Sequence, residues 1–169
     1  MSQTIIQRTL KLVLLLLLQL VVLNHIHLFG YAMPIVIAFL TMNFNRNASR
    51  IALLLWGFTI GLLYDMCSNT MGLGMASATL LAMMQPFLLK LFTPRDAADD
   101  MEPCMRTMGT QRYLLYAFSS MFVFHIVYYA LDAFSLHHWP TTLIAIAGGT
   151  VTAFIVIVFA QFLTRKQDD

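Results

Sequence analysis

Residues 56–92 read WGFTIGLLYDMCSNTMGLGMASATLLAMMQPFLLKLF. Two apolar runs flank a polar break at Ser68-Asn69-Thr70, and the stretch carries no charge besides Asp65 and Lys90. A helix needs ~20 apolar residues to cross a hydrocarbon core ~30 Å thick. The stretch therefore predicts a helical hairpin in a bilayer, with one span over 51–67 and the next over 71–92.

The rest of the chain agrees. Its 169 residues are 59% hydrophobic and 11% charged, with a mean hydropathy of +0.74. Soluble domains run at about 45–50% apolar and ~25% charged. A globule of this size could not hide so much apolar surface, which excludes a soluble domain and a disordered chain. The net charge of +2 argues against a nucleic-acid partner. Two cysteines cannot build a disulfide scaffold.

Further apolar segments cover 12–29, 113–134 and 140–163, with a shorter run at 31–44 that carries Pro34 near its start. Arg8 and Lys11 precede the first segment, but Asn24-His25-Ile26-His27 follows where a signal peptide would need small residues, so it reads as an uncleaved span. The 31–44 run is long enough only for a short span or a re-entrant piece. Charge decides between them. The basic residues are Arg8, Lys11, Arg46, Arg50, Lys90, Arg95, Arg106, Arg112, Arg165 and Lys166. With six spans all ten fall on one side; with five they are divided between the two sides. Cations gather on the cytoplasmic side. The expectation is one integral membrane domain over 1–169, an all-α bundle of six transmembrane helices with both termini cytoplasmic. The 93–112 loop, with mixed charge and two prolines, reads as a flexible, solvated linker. Cys67 and Cys104 then face opposite sides of the membrane.

Small residues let helices approach inside a bilayer. Gly57 and Gly61 form a GxxxG step; Gly74, Ala78 and Ala82 repeat the spacing, as do Ala145, Gly149 and Ala153. Packing within the bundle and contact with a partner's helix both fit these steps. Asp65 and Asp132 stand at the external ends of spans. Asp65 is placed to cap the turn into the next span, accepting backbone N–H groups between Met66 and Asn69, with Gly72 and Gly74 freeing a tight hairpin. His125 lies near mid-span and reads as a hydrogen-bonding group between helices. His25/His27 and His137/His138 have no carboxylate or thiolate spaced to complete a metal site. Pro86, after Gln85, is expected to kink its helix. No catalytic motif, cofactor motif or row of buried charges occurs, so the chain reads as a non-enzyme.

The stretch 56–92 resembles the bacterial rod shape-determining MreD family, in which a G-x-x-x-G-L-L-x-D run closes one span and a glycine-bearing loop and a small-residue span follow. The matching positions are Gly57, Gly61, Leu62, Leu63, Asp65, Gly72 and Ala76. The resemblance implies a multi-pass scaffold of the elongasome in the inner (cytoplasmic) membrane, serving peptidoglycan synthesis and cell shape. The partners it implies are membrane lipid, a bitopic MreC-like protein and, through the complex, MreB filaments, RodA and a class B penicillin-binding protein. The family fold is similar to that of S-components of energy-coupling-factor vitamin transporters, which supplies the alternative function. Against it, those proteins carry small residues at four-residue spacing in their first span, whereas Leu12–Leu20 contains no glycine or alanine.

Overall fold

A computed structural model of the chain describes residues 35, 37–45, 48–70, 72–94, 101–133 and 139–167. Their regular structure is α-helical throughout: α1 (Ala38–Met42), α2 (Arg50–Ser68), α3 (Leu73–Phe92), α4 (Met105–Met108), α5 (Thr110–Asp132) and α6 (Trp139–Gln167). Among the described residues, four helices are long and apolar enough to cross a membrane: α2, α3, α5 and, over Pro140–Phe159, α6. They match the spans expected over 51–67, 71–92, 113–134 and 140–163 to within a few residues. The segment at 12–29 lies outside the described residues. Within the 31–44 run, the described residues hold only the five-residue α1 and a non-helical stretch from Asn43. The remainder of that run, 31–34 and 36, lies outside the described residues.

The helices alternate in direction. In α2 and α3, Gly61 lies against Gly74–Met75 and Gly57 against Ala78 and Ala82, so rising numbers meet falling ones. In α5 and α6, Phe118 meets Phe154 edge-on at 5.6 Å and His125 sits against Gly149. The Tyr64–Tyr128 contact, 6.4 Å between ring centroids, puts the end of α2 beside the end of α5. One end of the bundle therefore gathers the starts of α2 and α5 and the ends of α3 and α6.

The pattern of exposure suits lipid. Along α2, Ile51, Leu55, Phe58, Leu62 and Met66 are exposed, while Leu53, Gly57, Ile60, Gly61 and Tyr64 are buried. Polar groups go inside: Thr41, Asp65, Ser77, Gln85, Ser120, His125 and Thr150 are all buried. Several span hydroxyls satisfy themselves locally. Thr59, Ser77, Thr79, Ser119 and Thr152 each donate to the carbonyl one turn back, at 2.6–2.8 Å. The helix α3 continues through Pro86 as a single element.

The 93–112 loop departs from expectation. Residues 95–100 lie outside the described residues, but from Met101 on the chain is not a free solvated connector. Met101, Pro103, Met105 and Met108 are buried, and α4 packs on α5. Thr107 Oγ1 donates to the Glu102 carbonyl at 2.6 Å and accepts the Cys104 N–H at 3.2 Å, which winds the turn. Gly109, at φ 81°, then starts α5. The methionines recur at helical spacing, and burying their thioethers outweighs the cost of ordering the turn.

Candidate functional site

The α2–α3 hairpin is the most closely built part of the molecule. A Cβ on Gly61 would overlap the Met75 Cα and lie 2.6 Å from the Gly74 carbonyl oxygen. One on Gly57 would lie 2.8 Å from both the Ala78 oxygen and the Ala82 Cβ. One on Gly74 would strike the Tyr64 ring at 2.6 Å and Asp65 Oδ1 at 2.7 Å. Gly57, Gly61, Gly74 and Ala78 thus face each other within the chain. Of the two uses open to these steps, they serve intramolecular packing.

Asp65 locks the hairpin. Asn69, in the left-handed region at φ 55°, closes α2 by giving its N–H to the Asp65 carbonyl, which also takes the Thr70 N–H at 3.1 Å. The carboxylate turns to the next helix. Its Oδ1 accepts the Gly74 N–H at 2.8 Å and the Thr70 hydroxyl at 2.5 Å, and its Oδ2 accepts the Met75 N–H at 2.9 Å. The residue at the start of α3 is Gly72 (φ 78°), which has no side chain to cap with, so Asp65 caps from the preceding helix. A negative charge there also complements the helix dipole. The capping role agrees with the sequence reading; the recipients do not. They are Thr70, Gly74 and Met75 instead of N–H groups between Met66 and Asn69, because α3 begins only at Leu73.

A second group lies between α5 and α6. His125 Nδ1 is 2.8 Å from the Met121 carbonyl of its own helix, where the sequence reading expects a bond between helices. Its ring stacks on Tyr129, 6.1 Å between centroids, and Nε2 is buried without a partner. Gly149 makes room: a Cβ there would lie 2.7 Å from the imidazole Cδ2 and 3.2 Å from the Tyr129 ring. Gly149 too is a packing residue, and Ala145 and Ala153 on its helix are buried.

A third group escapes sequence reading. Tyr116 of α5 donates its hydroxyl to the Met42 carbonyl at 2.8 Å, and Gln85 Nε2 of α3 donates to the Phe44 carbonyl at 3.2 Å. Both hold the frayed C-terminal end of α1. The polar residues themselves were visible in an apolar sequence, but their acceptors are backbone atoms far away in the chain.

The titratable groups divide by end. Arg50, Lys90, Arg106 and Arg112 are exposed at the end where α2 and α5 start and α3 stops. The last turn of α6, with Arg165 and Lys166, runs to the same end. Asp65, Cys67 and Asp132 stand at the other, which carries no lysine or arginine among the described residues. Arg46, Arg95, His25, His27, His137 and His138 lie outside the described residues. The fold and this arrangement define a multi-pass α-helical membrane protein. No family model, curated protein or solved structure matches the chain.

Proposed function

We propose that the chain is a non-catalytic scaffold of the bacterial cell-wall elongation machinery, a six-span protein of the MreD type. Its basic end and both termini face the cytoplasm. The observation that carries the reading is the coincidence of motif and geometry over residues 56–92. Gly57 and Gly61 seat α3, Asp65 caps it, and Gly72 takes the left-handed turn between them. Gly57, Gly61, Asp65 and Gly72, four of the residues that carry the family resemblance, thus share one product, a closely packed hairpin. Its small residues are spent inside the chain, so a partner's single span would be received on the outer apolar ridge Ile51, Leu55, Phe58, Leu62 and Met66. Binding there works by packing and positioning.

Co-purification from native rod-shaped cells tests the proposal. The expected result is capture of a bitopic partner and of wall synthases, with cell rounding on depletion. The S-component alternative forecasts a retained vitamin and unchanged shape, and that result would replace the scaffold reading.

A further inference from the structure

Among the described elements α6 packs mainly on α5, and the seam between them leaves two complementary groups unpaired. His125 Nδ1 stands 2.8 Å from the Met121 carbonyl. A carbonyl only accepts, so Nδ1 carries the hydrogen, and in a neutral ring Nε2 keeps a bare lone pair. Nε2 is buried with no donor, and the ring is 0% exposed. On α6 the Thr150 hydroxyl is likewise buried with no partner, whereas Thr152 bonds back to its own helix. The two groups are close. A Cβ on Gly149 would lie 3.1 Å from Nε2. Thr150 is the next residue, and consecutive Cα atoms are about 3.8 Å apart, so its Cα lies within about 8.5 Å of Nε2. A turn of α6 by part of the ~100° between successive residues brings the hydroxyl within reach.

The helix is built to make that turn. Gly148 and Gly149 put two residues without side chains at its middle. Thr152 divides its hydroxyl between their carbonyls, at 2.7 and 3.2 Å, a back-bond that bends helices. Ala145, Gly149 and Ala153 form one buried stripe, and Thr150, Ala153 and Ile157 form another. Ala153 belongs to both, and the first stripe carries nothing larger than a methyl group to obstruct its passage across α5. We infer that α6 is a two-position helix. In the described position Gly149 fits against the imidazole and the hydrogen bond is unmade. In the other, the segment from Thr150 onward turns about the glycine pair and the Thr150 hydroxyl donates to His125 Nε2. Arg165 and Lys166, on the last turn of α6, are carried round with it, so a mid-span hydrogen bond is coupled to the basic end. Packed interfaces switch between such discrete arrangements more readily than they deform. The inference is independent of the wall-growth proposal.

Solid-state nitrogen NMR of the full chain, labelled at histidine and reconstituted in lipid bilayers, tests it, with His125→Gln identifying the signal. Wild-type His125 Nε2 should show a hydrogen-bonded component beside the bare one. Thr150→Val should remove that component. Gly149→Ala, whose methyl enters the imidazole's space, should enlarge it several-fold. In a Cys67→Ser/Cys104→Ser chain, spin labels at the exposed Ile126 and Ile155 should give two distances, and the same two substitutions should shift their balance in opposite directions. A bare Nε2 alone in the wild type overturns the inference, and that measurement decides by itself if a variant does not fold. A hydrogen-bonded component that survives Thr150→Val overturns it as well, since the donor would then be water. So does one label distance common to all three chains, because Thr150 would then pair by turning its own side chain and not the helix.

Discussion

Asp65 works at the scale of single hydrogen bonds. Its carboxylate holds two N–H groups at the start of α3 and one hydroxyl from the turn, all in a site with little water to replace it. Asp65→Ala should lower stability by roughly 2–3 kcal/mol, read by SDS titration of the protein in mixed micelles. Asp65→Asn keeps one acceptor but turns an NH₂ toward the other N–H group, so it should fall between wild type and Ala. Equal stability of all three would remove the cap from the account. Gly149 supports a second expectation. A methyl there enters the space of His125 and Tyr129, so Gly149→Ala should destabilise by about 1–3 kcal/mol. Because the clash is with the imidazole, His125→Ala in the same chain should recover part of the loss, in a double-mutant cycle. Strict additivity would show that α6 meets α5 in another way. Asp65 was legible as a cap because a lone acid at a span end has few other uses. Its recipients were not, since they depend on the residue at which the next helix starts.

Helix pairing is set by which elements lack a Cβ and for what reason. Gly61 is required by closeness, as the Met75 backbone occupies its side-chain position. Gly72 is required by conformation, because its φ is 78° and a Cβ there would meet nothing nearer than Met75 Cε at 3.9 Å. The two should respond differently. Gly61→Ala forces α2 and α3 apart and should cost about 1–3 kcal/mol or more. Gly72→Ala pays only the left-handed backbone cost of roughly 1–2 kcal/mol, and Gly72→Asn should recover much of that, since asparagine enters this region readily. Thermal unfolding in detergent gives the ranking, and a Gly72→Asn variant as damaged as Gly61→Ala would contradict it. Four spans were legible because a bilayer demands length and hydropathy, which a sequence displays directly. The turn at 101–108 was misread as solvated because its charges and prolines outweighed the methionines at 101, 105 and 108, whose spacing was the available signal. The Gln85 and Tyr116 contacts reach backbone 41 and 74 residues away, and no local pattern encodes that.

The whole molecule is polarised along its axis. Exposed Arg50, Lys90, Arg106 and Arg112 ring one end, and Asp65, Cys67 and Asp132 mark the other. Cations resist transfer across the membrane and are attracted by the anionic inner leaflet, so the basic end should be cytoplasmic. The two cysteines are free and report this independently of charge. Cys67 is exposed in the last turn of α2 at the acidic end, and Cys104 is partly exposed beside α4 at the basic end. In intact cells a membrane-impermeant maleimide should therefore modify Cys67 and leave Cys104 untouched until the membrane is permeabilised. Cys67→Ser and Cys104→Ser single variants assign the signal, with the remaining thiol read alone in each. Labelling of Cys104 from outside, with Cys67 protected, would invert the molecule. The apolar ridge of α2 would still meet lipid in that case, but the basic end would stand away from every cytoplasmic filament, and a scaffold linking the two sides of the membrane would lose its footing.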